Sequence, residues 1–232
     1  MKETVHNDPY GILIVDKEKG MTSHDIVDRV RRRFRIKKLG HAGTLDPNAT
    51  GVLVLLFGKA TKLSNSFLEE EKEYEAVLKL GERTDSGDCD GVIVETYDVN
   101  VTEQDISKAV KHFIGQIEQI PPMVSAKKVK GKRLYKLARK GITVERSPRL
   151  ITIREFEIKK IDMPFVNFRV VCSKGTYIRQ IAEDIGIKLE CGAHLTELRR
   201  VRSGGFSIGQ AVSLSDLLNM NREVLDESII RV

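Results

Sequence analysis

The segment from Gly40 to Gly51 (GHAGTLDPNATG) holds the strongest candidate for chemistry in the chain. Asp46 is a carboxylate able to attack an electrophilic carbon or take a proton, and it precedes Pro47 directly. An Asp-Pro pair also suits the first two positions of a turn, so the residues alone leave that plainer reading open. Upstream, His41 can be a general base, a core histidine or a contact to a bound molecule. No serine or cysteine stands beside it to be activated.

Two other clusters invite a metal and fail on spacing. Ser86-Gly87-Asp88-Cys89-Asp90-Gly91 looks like the start of a calcium loop, but Ser86 would be its first residue and Tyr97 stands where the loop needs glutamate. Cys191 and His194 make two candidate ligands without partners at metal spacing, whereas a structural zinc takes four. No metal is expected. The three cysteines, Cys89, Cys172 and Cys191, form no C-x-x-C pair and read as reduced packing residues inside a cell.

The elements that position these residues can be read from periodicity. Gly11 to Val15 and Gly51 to Gly58 are apolar runs of buried-strand length. Between them, Ser23 is expected to cap a helix with Ile26, Val27, Val30 and Phe34 on one stripe and arginines opposite. Tyr74, Ala76, Leu78 and Leu80 alternate with more polar residues, the period of a half-buried strand, and Val92 to Thr96 is expected to continue the sheet. Thr102 and Asp105 resemble a capping box before a helical stripe of Ile106, Val110, Phe113, Ile114 and Ile117. Ile151 to Ile161 and Phe165 to Cys172 form a hairpin, Thr176 caps a helix carrying Tyr177, Ile181, Ile185 and Leu189, and Leu214 to Ile230 is helical. Strands and helices in this order imply an α/β (α+β) domain on a mixed sheet with helices packed on it.

With 232 residues the chain has room for one large domain with a stable core. No window has the apolar length of a membrane helix, and the polar start, MKETVHND, is unlike a secretory signal, so a cytoplasmic protein is expected. The net charge of +6 is concentrated in Arg29 to Lys38, Lys127 to Arg149 and Arg199 to Arg202. Any one cluster can be a solvated face, but three together favour a nucleic-acid partner. The stretch from Pro121 to Pro148 is too long for an ordinary connection and is basic, as a functional loop touching a polyanion would be.

GHAGTLDPNATGVL resembles the catalytic motif of the TruB family of tRNA pseudouridine synthases, whose carboxylate before proline is essential. Five further segments match in order: Asp16 to Asp25 (DKEKGMTSHD), Lys72-Glu73-Tyr74 with Gly81 to Asp88 (GERTDSGD), Pro121 to Ala126 (PPMVSA), Ser173 to Arg179 (SKGTYIR) and Gly192 to Arg200 (GAHLTELRR). The resemblance spans nearly the whole chain.

What the resemblance implies is a pseudouridine synthase fold that isomerises a uridine in the tRNA T loop, position 55, without cofactor or metal. Asp46, Tyr74 and Arg179 would be catalytic, the guanidinium holding Asp46 charged and oriented and Tyr74 lying against the target base. His41, Tyr177, Leu198, Lys19 and Lys130 would bind the substrate. The expected partner is the T arm of tRNA, bound by a monomer. Residues 1–212 would form the catalytic domain, with 121–148 as an RNA-clasping insertion. Residues 213–232 would be a short helical tail in place of a full C-terminal RNA-binding module. The alternative is a noncatalytic RNA-binding or tRNA-folding protein that keeps the fold.

Overall fold

The computed structural model describes residues 9–125, 127–129, 131–138 and 140–232, with the backbone alone at 128, 129, 132, 133 and 135. The chain divides into two compact units, Met1–Tyr74 with Arg199–Val232, and Glu75–Leu198.

The chain enters the first unit through β1 (Gly11–Lys17), α1 (Ser23–Phe34), β2 (Leu39–Ala42), β3 (Thr50–Phe57) and α2 (Ser64–Glu69). Strand β4 (Lys72–Leu80) leads into the second unit, which continues with β5 (Glu82–Thr84), β6 (Ile93–Thr96), α3 (Glu103–Lys111) and β7 (Gly115–Gln119). The basic stretch holds β8 (Lys128–Val129), β9 (Lys132–Arg133) and α4 (Leu134–Ala138). Then come β10 (Arg149–Asp162), β11 (Phe165–Cys172), α5 (Ile178–Lys188) and β12 (Ala193–Ser203), whose end re-enters the first unit. There β13 (Phe206–Ser207), β14 (Val212–Ser213), α6 (Leu214–Asn219) and α7 (Arg222–Ser228) complete the chain.

In the first unit β1 pairs antiparallel with β3 and parallel with β14, while the other edge of β3 carries β2 antiparallel and β12 parallel. The expected mixed sheet is therefore present. Its two central strands are apolar from Gly11 to Val15 and from Gly51 to Phe57 because both faces are covered there. Leu13, Val15, Leu53, Leu55 and Phe57 pack with Ile26, Val27, Val30 and Phe34 of α1 and with Leu214, Leu217 and Leu225 of α6 and α7. Ile12, Ile14, Val52, Val54 and Leu56 pack on the opposite face with Ala42 and Ala60.

The second unit orders its strands β12-β4-β11-β10-β7. The predicted hairpin is β10 and β11, with Phe156 and Phe168 stacked at 4.8 Å. Ile106, Ala109 and Val110 of α3 and Ile181, Ala182 and Ile185 of α5 are buried.

Several expectations are corrected. Thr22, not Ser23, caps α1, because its hydroxyl meets the Asp25 N–H while the Asp25 carboxylate returns to Thr22. Helix α3 stops at Lys111, and Ile117 belongs to β7, paired with Ile151. Gly115, with φ of 103°, makes the turn between them. The strand predicted from Val92 to Thr96 is β6, from Ile93, but among the described residues it pairs only with β5 in a separate two-stranded ribbon, with β6 on its exposed side. Tyr177 stands at the N-cap of α5, and the Thr176 hydroxyl donates instead to the Ser173 carbonyl. The C-terminal stretch is two helices broken at Met220.

Candidate active site

Asp46 lies half-buried in the loop between β2 and β3, whose backbone is gripped by three buried polar side chains. Lys17 ends β1 and is fully buried. Its ammonium donates to the carbonyls of Ala49 at 2.7 Å and of Pro47 and Glu18 at 2.9 Å. Ser23, in the first turn of α1, exchanges two hydrogen bonds with Leu45: its hydroxyl accepts from the Leu45 N–H at 2.9 Å and donates to the carbonyl at 3.2 Å. Arg200, 1% exposed, donates to the carbonyls of Val52 and Gly43, both at 2.8 Å. Asp46 does begin a turn, since its carbonyl accepts from the Ala49 N–H at 3.1 Å. That turn fixes the backbone and leaves the carboxylate as a side chain on a rigid base.

Close approach dictates Gly51. Its φ is 100°, and a Cβ there would stand 2.2 Å from the Arg200 carbonyl oxygen, so only glycine lets β3 and β12 meet at this end of the loop. Beside it, Arg199 grips Asp16 through two hydrogen bonds, at 2.6 and 3.2 Å.

Charge in this unit is crowded. Burial pushes the Lys17 ammonium down to about 8, with the Asp46 carboxylate opposing that shift and Arg200 adding to it. Burial also lowers the His41 imidazole, helped by the charges of His24 and Arg200. His41 is half-buried on β2, and its Nδ1 is buried with no hydrogen-bond partner among the described residues. Tyr74 is buried on β4, in the same unit.

In the second unit Arg179, 3% exposed, sits in the first turn of α5. Its Nη1 donates to the Ser86 carbonyl at 3.0 Å and lies 3.3 Å from the Asp88 carboxylate, and Nη2 donates to the Val124 carbonyl at 2.8 Å. The Ser86 hydroxyl and the Asp90 N–H both donate to Asp88, at 2.6 and 3.1 Å. The turn that looked like half a calcium loop is thus a socket for a guanidinium. The backbone of Tyr177 pairs with the buried Gln119 side-chain amide, at 2.8 and 3.1 Å, which secures the entry to α5.

Of the other residues read from the sequence, Lys19 is exposed, Leu198 and Tyr177 are half-buried, and Lys130 lies outside the described residues. Lys17, Ser23, Arg200 and Asp88 were missed as individuals although each stands inside a quoted motif. Lys17 offered a signal, being a charged residue at the end of an otherwise buried strand.

Comparisons with known proteins place the chain in a family. Residues 31–178 match the model of the TruB family pseudouridylate synthase N-terminal domain, and residues 179–232 match the tRNA pseudouridylate synthase B C-terminal domain. The chain is 48% identical over 223 residues to tRNA pseudouridine synthase B of Syntrophotalea carbinolica, covering 96% of this chain and 73% of that protein. It is 49% identical over 222 residues to the protein of the same name from Protochlamydia amoebophila, covering 95% and 84%. Among solved structures it is similar to a chain of a Cbf5-Nop10-Gar1 complex, with a TM-score of 0.77 and 31% identity over 96% of this chain. It is also similar to a chain of an H/ACA RNP bound to a substrate RNA containing 2'-deoxyuridine, with a TM-score of 0.73 and 29% identity over 96% of this chain. The chain spans 60% and 59% of the lengths of those two solved chains. The motifs read from the sequence and the matches over nearly its whole length lead to one family, and the chain belongs to it: the TruB family of pseudouridylate synthases.

Proposed function

We propose that this chain is a tRNA pseudouridine synthase that converts a T-loop uridine to pseudouridine with Asp46 as its essential carboxylate. The observation that carries the reading is the clamped loop: Lys17, Ser23 and Arg200 hold its main chain on both sides of Asp46. A carboxylate on a prefixed backbone loses little freedom when it meets a reacting atom, which is what positioned catalysis requires.

The reaction breaks the bond between ribose C1′ and uracil N1, turns the ring and joins C1′ to C5. The proton on C5 is lost and N1 gains one, so the composition of the RNA is unchanged and no redox step is needed. Asp46 serves by attacking the ring, attacking the sugar carbon or removing a sugar proton, and all three routes use the same oxygen atoms. A stacked loop base must first be flipped out, at a cost of a few kcal/mol that stacking on protein side chains offsets. Tyr74 and Leu198 are the walls assigned to that base, and His41, Tyr177, Lys19 and Lys130 are assigned to the RNA. The role assigned to Arg179, keeping Asp46 oriented, rests on the family pattern. The insertion 121–148 clasps the T arm by phosphate contact and shape.

Incubation with an unmodified tRNA transcript, followed by chemical mapping of pseudouridine, tests the reading. Product at one T-loop uridine supports it. Tight binding without product would instead favour the noncatalytic RNA-binding protein.

A further inference from the structure

Helix α1 carries five arginines at or near its C-terminal half, and they divide into two kinds. Arg31 pairs with Asp28 at 2.7 Å and donates to the Leu39 carbonyl. Arg33 donates to the carbonyls of Leu218 and Met220, at 2.7 and 2.9 Å, and so ties α1 to α6. These two hold the fold. Arg29, Arg32 and Arg35 are exposed, and none forms an ion pair with a carboxylate among the described residues. Asp28 is already engaged by Arg31, Asp25 is committed to the Thr22 cap and meets Arg29 only through its charge, and the Arg32 Nε donates to the Asp28 carbonyl of its own helix at 3.2 Å.

Their spacing and one backbone angle set them apart from an ordinary solvated face. Arg29 and Arg32, at i and i+3, are neighbours on the helix surface, about 5–6 Å apart. Arg35 follows as the C-cap of α1, with φ of 52° and ψ of 40°, beyond the last helical residue. That left-handed position favours glycine and costs a side-chain-bearing residue roughly 1–2 kcal/mol. An arginine there gives up local stability, and what it adds is a third exposed cation at the helix end.

We propose that Arg29, Arg32 and Arg35 form a second phosphate-binding surface that takes the backbone of the RNA beyond its reacting loop. This rests on the reading of the chain as a tRNA pseudouridine synthase. Ser23 at the start of α1 holds the Asp46 loop. At 1.5 Å of rise per residue the row lies about 9–18 Å along the helix from there, so it reaches RNA outside the reacting loop. The exposed face has no apolar residue to insert into a lipid surface, because Ile26, Val27, Val30 and Phe34 are all spent in the core. Phosphate is the group that a row of exposed guanidinium ions recognises.

The test compares wild type with the R29Q/R32Q/R35Q variant, binding either full-length tRNA or a short hairpin containing only the reacting loop and a few base pairs, across a salt series. For full-length tRNA the variant is expected to bind several-fold more weakly, with the slope of log affinity against log salt reduced by about 2–3 units. For the short hairpin the two proteins should bind alike. Equal slopes on full-length tRNA would overturn the proposal, as would a loss confined to anionic phosphatidylglycerol vesicles. If the triple variant melts early, R29Q/R32Q, which leaves the cap residue alone, carries the same comparison with a slope change of about 2 units. Product formation by wild type is followed in parallel. Normal product with equal slopes removes the arginine row, while a changed slope without any product removes the enzymatic reading and leaves the row standing.

Discussion

The Arg179 guanidinium lies 3.3 Å from the Asp88 carboxylate, in a turn that also offers it the Ser86 carbonyl. A buried guanidinium held by a carboxylate and two carbonyls has one orientation, and loosening the carboxylate should be felt wherever that orientation matters. Arg179→Met is expected to lower single-turnover pseudouridine formation by about 10²–10³-fold with little change in tRNA affinity. Asp88→Asn should produce a smaller fall in the same step. If the pair works as a unit, the double variant is no worse than Arg179→Met, whereas multiplying losses would show two independent roles.

Lys17 predicts a divergence between stability and activity with pH. Its ammonium titrates near 8 in the folded chain against an ordinary value of 10.5. Between those values the unfolded chain holds more protons than the native one, so this group makes stability rise with pH from about 8 to 10.5. Over the same range the ammonium that grips Pro47 and Ala49 is lost, and activity should fall with a midpoint near 8. Lys17→Met removes that limb, lowers kcat more than it raises KM, and destabilises the fold by about 2 kcal/mol or more by stranding buried carbonyls. Melting and rate profiles moving in the same direction between pH 8 and 10 would contradict this assignment.

Ser23→Ala deletes both bonds to Leu45 and leaves a buried N–H unpaired. The expected cost is about 2 kcal/mol in denaturant unfolding, with a lower kcat at temperatures where the variant is fully folded. A stability loss with unchanged kcat would show that the loop is fixed well enough by Lys17 and Arg200.

Neutralising Lys127, Lys128, Lys130, Lys132 and Arg133 together should weaken tRNA binding and flatten its salt dependence by about one unit for each phosphate that the insertion no longer neutralises. Affinity is measured across a salt series, and identical slopes would mean that the insertion does not touch the RNA backbone.

Much of the first unit was legible because its two central strands are covered on both faces and so read as unbroken apolar runs. Asp46 is legible as a carboxylate in a turn-rich loop, and it is the family motif that favours chemistry there over a plain turn. The clamp was less visible, because Lys17, Ser23 and Arg200 act through backbone carbonyls that no side-chain pattern records. At the start of α1 two adjacent hydroxyls can cap, and the spacing from Thr22 to Asp25 was the better guide. At the end of α3 the apolar stripe continued into β7 with no change of residue type, so only Gly115 marked the break. Val92 to Val94 looked like sheet because they are apolar, yet they form an exposed ribbon. The guanidinium partner of Asp88 stands on a helix far away in sequence, so the local pattern around Asp88 shows only the start of a calcium loop.

The most direct test of the account is the conversion of unmodified tRNA by wild type and by Asp46→Asn, with pseudouridine counted per tRNA in a single turnover. The amide keeps the shape of the side chain and removes the charge, so the loop held by Lys17, Ser23 and Arg200 should stay intact. Wild type is expected to make one pseudouridine in the T loop, and Asp46→Asn to fold and bind tRNA normally but form no product. Product formed by the variant at a rate near that of wild type would contradict it.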